Sequence, residues 1–384
     1  MNALPQQAQI IIDTLQRAGF EAYAVGGSVR DLLMDKKTKG WDFATNATPE
    51  DILKLFPDSF YDNQFGTVGV KIYKKIDSGN LTDHKVSDIY EITTYRSEKG
   101  YADHRHPDNI TWGKTIEEDL SRRDFTINAI ALNGKTIIDP YNGQKDLEAK
   151  IIRAVGDPNQ RFSEDSLRMM RSVRIASELG FMIDETTSSA ILANAALLKK
   201  ISAERIRDEL MRLLASPFAA DGILLLKNTG LLTFILPELE DTFGVAQKSP
   251  LRHHIYDVGT HSVMALKHCP SPDPLVRLAT LLHDIGKTKT FHKDETGLIT
   301  FYNHEVVSTR LVKAIALRLR LSRNQSEKLI TLVRWHQFSV DERQTDSALR
   351  RFIRRVSKDN LSDMLALRIG DRLGGGARET SWRL

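Results

Sequence analysis

The sequence predicts an α+β protein in which an α/β head with a small mixed sheet precedes an all-helical remainder. Alternating residues over 68–73 are typical of a strand, and the run over 21–25, which has the pattern of a buried strand, ends at two glycines. From residue 151 onward the pattern is helical. We expect four zones: a head over 1–149, a helical neck over 150–215, a helical body over 216–250 and a separate helical domain over 251–384.

Length and composition indicate an intracellular protein with more than one core. The chain has 384 residues, of which 41% are hydrophobic and 27% charged, enough for two or three cores. Its single cysteine, Cys269, excludes internal disulfides. Residues 1–17 have the pattern of an amphipathic helix, and Lys227 and Asn228 interrupt the apolar stretch over 223–236. We therefore predict a cytoplasmic location and no membrane partner.

A predicted phosphate-binding turn follows the first strand of the head. The backbone N–H groups of Gly26 and Gly27 can approach phosphate oxygens closely, and Arg30 supplies a fixed positive fork. Asp31 opens a helix, where a carboxylate suits the free N–H groups. A glycine pair is also common in ordinary tight turns. The neighbouring arginine and the aspartates, including the downstream Asp42, favour the phosphate site.

Three motifs occur in order: Gly26 to Asp31, Arg122 to Ala129 and Glu164 to Arg168. Together they resemble the class II tRNA nucleotidyltransferases, the family of CCA-adding enzymes and their bacterial poly(A) polymerase relatives. The resemblance covers roughly the first 240 residues, with the motifs in the family's order and spacing. It implies a polymerase-β-like nucleotidyltransferase head.

One departure from the family pattern concerns metal binding. Where the family has two aspartates separated by one residue, this sequence has Gly40-Trp41-Asp42, so one carboxylate is absent. Two metal ions that stabilise the charge on an attacking 3′-hydroxyl and on a leaving pyrophosphate normally need several carboxylate ligands. We predict that Asp42 and Glu91 are catalytic and bind Mg²⁺, with a solvated strand residue as the alternative for Glu91. Gly40 is either natural or engineered, and an impaired head is the alternative it leaves open.

Two further segments of the head are expected to serve the nucleotide. The family resemblance implies that Arg122 binds the nucleotide. Asp124 would accept hydrogen bonds from ribose hydroxyls or orient the neighbouring arginine. The polar, basic segment over 101–107 resembles the loop that family members need when they switch from C to A addition, which favours full CCA addition. A solvated hairpin end is the alternative for this segment.

The third motif predicts a base-reading surface. Asp165, Arg168, Arg171 and Arg174 recur at three-residue intervals and can share one helix face. Cytosine and adenine present an amino donor beside a ring-nitrogen acceptor, whereas guanine and uracil present a carbonyl beside an N–H. An aspartate acceptor next to an arginine donor matches C and A alone, and the family resemblance implies the same. A salt-bridged exposed helix face is the alternative.

Basic residues recur on the later neck helices. We expect them to contact the phosphates of an RNA acceptor stem, because double-stranded RNA is held mainly through its shape and phosphates. A solvated charged face is the alternative. The residues are Lys199, Lys200, Arg205, Arg207 and Arg212.

The C-terminal zone carries histidines and carboxylates that resemble the HD phosphohydrolase superfamily. Imidazole mixed with carboxylate suits a divalent transition metal, and metal-bound water can attack a phosphomonoester or cyclic phosphate. Packed or surface histidines are the alternative. The predicted metal ligands are His261, His283, Asp284 and Asp371, with His304 and His336 as second-metal ligands or phosphate contacts.

The combined prediction is a template-independent enzyme that adds or repairs the 3′-terminal CCA of tRNA from CTP and ATP, with an HD domain that trims or repairs 3′ phosphates. A poly(A) polymerase is one alternative, and a tRNA-binding HD phosphohydrolase with an impaired head is another. The pattern after Gly374 is that of a helix beginning, so we expect further residues beyond Leu384.

Overall fold

The computed structural model describes residues 4–38, 40–63, 66–75, 84–99, 109–134, 136–247, 255–338 and 345–376. The chain divides into two compact units, each treated separately below. The first comprises Met1–Arg168 and Met182–Ala190, and the second comprises Met169–Phe181 and Ile191–Leu384. These units divide the chain inside the predicted neck, so the four-zone organisation stays a prediction.

The first unit is built on a seven-stranded mixed sheet, as the sequence predicts. Its strands, numbered in chain order, are β1 (Ala22–Val25), β2 (Asp42–Thr45), β3 (Ser59–Asn63), β4 (Thr67–Lys75), β5 (His84–Thr94), β6 (Arg96–Lys99), β7 (Asn109–Trp112), β8 (Ala131–Asn133), β9 (Thr136–Ile138), β10 (Ile151–Ile152) and β11 (Met182–Ile183). Its helices are α1 (Gln6–Arg17), α2 (Gly27–Leu33), α3 (Pro49–Leu55), α4 (Ile116–Ser121), α5 (Gly143–Ala149) and α6 (Pro158–Glu164), with a 3₁₀ turn at Thr126–Asn128.

The strand order of the large sheet is β3-β4-β5-β2-β1-β8-β9. β2 pairs with β5 in parallel, whereas the other neighbours in this sheet are antiparallel. The run over 68–73 lies within β4, and the run over 21–25 contains β1. Both strand predictions are therefore confirmed.

One core cluster of this unit packs α4 against the centre of the sheet. Val25 of β1 and Ala44 of β2 are buried together with Tyr95, which follows β5. Ile116 and Leu120 of α4 complete the contact from above. This packing anchors the central strands. The first residues of β2 and the last residues of β1 are therefore held in place at the end of these strands where the polar motifs lie.

The second unit is helical, as the sequence predicts. Helices α7 (Leu167–Leu179) and α8 (Glu185–Asn194) cross the boundary between the units. The following helices are α9 (Ala203–Leu214), α10 (Ala219–Asn228), α11 (Leu232–Ile235), α12 (Pro237–Glu240), α13 (Val258–His268), α14 (Pro274–Leu282), α15 (Lys287–Thr290), α16 (His304–Arg318), α17 (Arg323–Trp335), α18 (Asp346–Val356) and α19 (Leu361–Gly374), with 3₁₀ turns at Ala195–Lys200 and Lys358–Asn360 and a short pair of strands β12 (His292–Lys293) and β13 (Ile299–Thr300).

Two glycines let α19 approach α13 at backbone contact. A Cβ at Gly370 would lie 2.6 Å from the carbonyl oxygen of Ala265, and one at Gly374 would lie 2.5 Å from the nitrogen of the same alanine. Any larger residue at either position would force the helices apart. This close approach sets Asp371 of α19 opposite His261 of α13.

Among the described residues, no helix is both long enough and apolar enough to cross a membrane.

Candidate functional site

Two carboxylates meet on one face of the head sheet. Asp42 is the first residue of β2, and the parallel register places it directly opposite Glu91 of β5. The side chains of paired residues in a sheet leave on the same face, and both residues are exposed. The Glu91 backbone N–H donates to the carbonyl of Trp41, whose buried side chain anchors the start of β2. The structure thus brings together the two carboxylates that the sequence singled out.

Surrounding protein atoms change the acidity of Asp42 even though its side chain reaches solvent. Partial dehydration by these atoms raises the pKa of the Asp42 carboxyl, and the positive charge of Arg123 opposes this rise. An incompletely solvated carboxylate has an electrostatic reason to take up a cation, and the strand register places Glu91 as a second carboxylate residue on the same face.

Gly26 shows how closely the phosphate-binding turn approaches these groups. It is the N-cap of α2 with φ +78°, a conformation that favours glycine. A Cβ there would lie 3.1 Å from Nη1 of Arg123 and 3.5 Å from Oδ2 of Asp42. The turn, the carboxylate and a guanidinium therefore share one small region.

The arginine in this region is Arg123, which the sequence analysis did not select. Arg122 and Arg123 are both bound to Asp119, a fully buried carboxylate on α4. Arg122 Nη2 lies 2.6 Å from Oδ1, and Arg123 Nη2 lies 3.0 Å from Oδ2. The signal in the sequence was an aspartate three and four residues before an arginine pair, since that spacing places one acid beneath two bases on a helix. The predicted role of Arg122 at the triphosphate stays a prediction.

Arg30 and Asp31 both lie within α2; the expectation that Asp31 opens this helix is wrong, because the helix already begins at Gly27. Hydrogen bonds hold the Arg30 side chain in place. Its Nε and Nη2 donate to Oδ1 of Asp31, and its Nη1 donates to Oδ1 of Asn128 at 2.9 Å. Asn128 in turn donates to Asp124. The guanidinium lies 3.5 Å from the position of a Cβ on Gly27, so it covers the glycine turn as the predicted phosphate site requires.

Gly40 adopts a backbone conformation that few other residues share. Its φ is +88°, and a Cβ would point to open space 4.0 Å from Oδ1 of Asp88. The backbone of an aspartate at this position would be strained, and its Cβ would lie near the Asp88 carboxylate. The missing metal ligand is therefore accompanied by a backbone shaped for glycine.

The predicted base-reading residues flank the junction of α6 and α7. Asp165 has extended backbone angles, and its Oδ1 accepts from the backbone N–H of Leu167 at 3.0 Å. The expectation that Asp165 shares a helix face with the arginines is wrong, because its side chain caps the turn that precedes α7. Arg168 lies in α7 and donates from Nη1 to Glu164 and from Nη2 to the carbonyl of Arg122.

Arg171 and Arg174 follow on α7 at three-residue spacing, in the part that belongs to the second unit. Arg174 is 4% exposed and pairs with Glu209 and Glu178 at 2.6 and 2.7 Å. These contacts give Arg174 a structural role, and the predicted contributions of both residues to nucleotide binding stay untested.

The predicted RNA-binding cations lie at the start of the second unit. Lys199 and Lys200 are exposed at the end of a 3₁₀ turn, while Arg205 and Arg207 are half-buried on α9. Arg207 donates to Asp208 and to the carbonyl of Arg320, so part of its donor capacity is used internally. The predicted switching loop over 101–107 lies outside the described residues.

Two sets of potential metal ligands lie side by side in the second unit. One comprises His261, His283 and Asp371, and the other comprises Asp284, His304 and His336. Asp284 joins them, because its Oδ2 lies 3.2 Å from Nε2 of His283 and its Oδ1 lies 3.1 Å from Nε2 of His304. All six predicted ligands are thus brought together.

Backbone carbonyls orient three of these histidines. The Nδ1 atoms of His283, His304 and His336 lie 2.6–2.8 Å from the carbonyl oxygen three residues earlier, and an Nδ1–H donating there fixes the tautomer. Nε2 then carries the lone pair and faces Asp284. This is the arrangement that metal-binding histidines require.

Charge balance in the cluster depends on its carboxylates. Burial alone would lower the pKa of His283, but Asp284 and Asp371 raise it to about 10. Burial would raise the pKa of Asp284, yet His283 and Lys287 hold it well below its ordinary range. The carboxylates are therefore ionised, and a metal ion would take the place of protons on the imidazoles.

A cavity of about 390 Å³ opens onto this cluster. Its wall includes the ligands Asp284, His304, His336 and Asp371. The remaining lining residues are Lys287, Phe301, Tyr302, Asn303, Gln337 and Arg368, which add two cations, two aromatic rings and two amides. Such a wall suits a phosphate ester of moderate size.

Comparisons with known protein families match three successive segments of the chain. The poly A polymerase head domain matches residues 22–153, the probable RNA and SrmB-binding site of polymerase A matches 180–243, and the HD domain matches 252–368. The fold and sites therefore define a nucleotidyltransferase head joined to an HD domain.

The chain belongs to the family of CCA-adding enzymes. It is 34% identical over 339 residues to a CCA-adding enzyme of Levilactobacillus brevis, covering 88% of this chain and 77% of that one. A Geobacillus thermodenitrificans CCA-adding enzyme is 47% identical over 232 residues, which cover 60% of this chain and 54% of the relative. The chain thus spans about half the length of the first curated relatives that it matches.

A solved relative extends the similarity to the structure. The crystal structure of the Bacillus stearothermophilus CCA-adding enzyme in complex with CTP is similar with a TM-score of 0.67 at 30% identity. The match covers 98% of this chain and 80% of that one. The resemblance seen in the sequence motifs is confirmed.

Proposed function

We propose that this chain adds or repairs the 3′-terminal CCA of tRNA with CTP and ATP, without a nucleic-acid template. The observation that carries the proposal is the pairing of Asp42 with Glu91 beside the glycine turn and Arg123. The 30% identical solved relative, whose printed description names CTP as its ligand, supports it. A cytoplasmic location, where tRNA and nucleotides occur, accompanies the proposal.

In this proposal, each side chain of the head has a separate task. Asp42 and Glu91 hold Mg²⁺, which supplies charge neutralisation for the attacking 3′-hydroxyl and the leaving pyrophosphate. The Gly27 turn and Arg30 bind the triphosphate with backbone N–H groups and a guanidinium. Arg122 and Arg123, both oriented by Asp119, extend the positive surface towards it.

Asp165 and Arg168 would select the base. The Asp165 carboxylate, which the backbone N–H of Leu167 holds in place, would accept a hydrogen bond from the exocyclic amino group of C or A. Arg168 is fixed by Glu164 and the Arg122 carbonyl, so its guanidinium is positioned in advance to donate to a ring nitrogen. The cations at 199, 200, 205 and 207 would bind the tRNA backbone, in keeping with the RNA-binding match over 180–243.

The test is extension of a tRNA that lacks its CCA end, with Mg²⁺, CTP and ATP, followed on a sequencing gel. We compare the chain with Gly40→Asp and with Gly40→Asn, which matches aspartate in size but lacks the charge. We expect three added nucleotides, with the Asp variant faster than the Asn variant because only a carboxylate replaces the missing ligand. Strain at φ +88° is common to both variants and cancels in the comparison.

Each outcome of this assay is informative. Absence of addition by all three proteins overturns the proposal. Continued extension with ATP alone indicates a poly(A) polymerase. Addition by the unmodified chain at a rate equal to that of Gly40→Asp shows that Asp42 and Glu91 suffice.

A second candidate function is favoured by the six-ligand cluster of the HD domain. We infer a phosphohydrolase that trims or repairs 3′ phosphates and uses a divalent transition metal. The histidines and carboxylates of the cluster would hold the metal, which would supply Lewis-acid activation of water, and the cations of the cavity would bind the phosphate. The double variant His283→Ala/Asp284→Ala is expected to lose both bound metal, measured by elemental analysis, and phosphatase activity. Unchanged hydrolysis in this variant would remove the proposal.

A further inference from the structure

The most basic helix among the described residues has no task in either proposed reaction. Between Asp346 and Val356, α18 carries four arginines and a single acidic residue. The four are Arg350, Arg351, Arg354 and Arg355, all exposed. They form two adjacent rows at i,i+4 spacing, and like charges in such rows destabilise a helix. A partner that neutralises them would repay that cost.

Local contacts do little to neutralise these charges. Among the residues that the structure describes, Asp346 pairs with Arg350 at 3.9 Å, and both side chains are more than 80% exposed, so this pair is weak. Arg351 donates to the hydroxyl of Ser347, which carries no charge. Arg355 stacks on the indole of Trp335 at 4.8 Å. A net positive surface therefore faces solvent.

Part of the apolar side of α18 is used in packing, whereas Ile353 on the same side is 40% exposed. Val356 is fully buried, and Phe352 stacks on Phe338 with ring centroids 4.7 Å apart. A helix that inserted into a lipid surface would need this face free. The chemistry of the exposed face therefore matches a hydrophilic polyanion better than a membrane.

The helix also adjoins the wall of the HD cavity. Trp335, whose indole ring contacts both Arg334 and Arg355, directly precedes His336 and Gln337 of the cavity lining. Phe338, the partner of Phe352, follows them. The basic face and the metal-ligand cluster are thus joined through one short, packed segment.

We propose that the basic face of α18 binds the phosphate backbone of an RNA strand whose phosphorylated end lies in the HD cavity. Successive turns of a helix present arginines about 5.4 Å apart, a spacing comparable to that of neighbouring phosphates along a strand. The HD site then prefers an RNA end to a mononucleotide. This inference rests on the proposed phosphohydrolase for its catalytic part, but the binding surface stands on charge and packing alone.

The first experiment measures binding of a short, labelled single-stranded RNA to the full chain by fluorescence anisotropy over a range of salt concentrations. The test variant is Arg350→Gln/Arg351→Gln/Arg354→Gln, which leaves the Trp335 stack intact. The control is Arg310→Gln/Lys313→Gln/Arg323→Gln, which removes the same charge from exposed positions on α16 and α17. We expect at least tenfold weaker binding and a salt slope reduced by about 2 for the test variant only.

The second experiment compares hydrolysis of an RNA oligomer and a mononucleotide that both end in a 3′ phosphate. The test variant should raise KM for the oligomer about tenfold or more, without changing kcat or the mononucleotide KM. Equal effects of test and control variants, or none, would overturn the inference. Absence of hydrolysis by the unmodified chain would instead remove the phosphohydrolase proposal, and the anisotropy would still decide RNA binding.

Vesicles of phosphatidylcholine and phosphatidylserine provide the last comparison. The RNA surface predicts weak vesicle binding that is unchanged in the test variant. Vesicle binding that depends on the three arginines as strongly as RNA binding does would overturn the assignment in favour of an anionic membrane.

Discussion

At the scale of single residues, Gly26 couples backbone conformation to the nucleotide site. Gly26→Ala introduces a methyl group 3.1 Å from Arg123 and 3.5 Å from Asp42, at a φ of +78°. Gly19→Ala is a matched control, because Gly19 has φ +90° but nothing within 4 Å of the added Cβ. We expect both variants to lose roughly 1–2 kcal/mol of stability through backbone strain. Only Gly26→Ala should also lose CTP affinity, measured by calorimetry.

Equal CTP affinity in the two variants would mean that the region around Gly26 does not contact the nucleotide. Equal stability losses, measured by urea unfolding, would confirm that the comparison isolates the local contact from the strain.

Asp119 determines the orientation of two arginines from one buried position. Burial alone would raise the pKa of Asp119, but Arg122 and Arg123 outweigh it and hold the pKa below its ordinary value. A folded-state pKa below the unfolded value of about 3.9 stabilises the protein above that pH, and the contribution is lost as the pH falls through the folded pKa. Asp119→Asn should therefore cost about 3 kcal/mol at pH 7 and progressively less below about pH 4.

The measurement is the free energy of unfolding as a function of pH for both proteins. An exposed pair offers the control: Glu327→Gln removes the partner of Arg323, whose side chain is 89% exposed, and is expected to change stability very little. A stability difference for Asp119→Asn that does not shrink in acid would show that packing, rather than charge, accounts for its effect.

At the scale of elements, the contact between α13 and α19 brings together two of the proposed metal ligands, His261 and Asp371. Gly374→Ala would place a Cβ 2.5 Å from Ala265 N, so α19 must shift and carry Asp371 away from His261. The two residues now lie 3.2 Å apart, between Oδ1 and Nε2. We expect a destabilisation of about 1–3 kcal/mol and a clear loss of HD-bound metal, measured by elemental analysis after dialysis.

Gly375→Ala is the control for this prediction. A Cβ at Gly375 meets its nearest neighbours at 3.5 Å, an ordinary contact distance, and the residue has φ −80°. It should keep both stability and metal. Retention of full metal content by Gly374→Ala would show that the helices adjust without moving Asp371.

At the scale of the whole molecule, one chain carries two proposed reactions, and no residue is assigned to both of them. The transferase residues proposed for the head lie in the first unit, and the metal cluster lies in the second. We expect His283→Ala/Asp284→Ala to abolish phosphatase activity and leave CCA addition within about twofold, since independent sites that share no residue act additively. The converse holds for Asp42→Asn, which should abolish addition and leave hydrolysis unchanged. Loss of both activities in either protein would indicate energetic coupling between the units.

Local sequence determined much of this protein. The strand over 68–73, the glycine turn and the ordered motifs predict the fold class and the family, because periodicity and glycine conformation are properties of neighbouring residues. The histidines and aspartates predicted to bind a metal in the HD domain could also be selected from the sequence, because imidazoles mixed with carboxylates suit a divalent transition metal.

Only the tertiary structure decided which groups meet. The register that pairs Asp42 with Glu91 depends on a parallel contact between strands far apart in sequence, and the selection of Arg123 depends on how Asp119 is buried. Likewise, Arg174 matched a base-reading pattern, but its ion pair with Glu209 forms across 35 residues of chain. Spacing along a chain specifies which residues share an element, whereas packing between elements specifies which charges become neighbours.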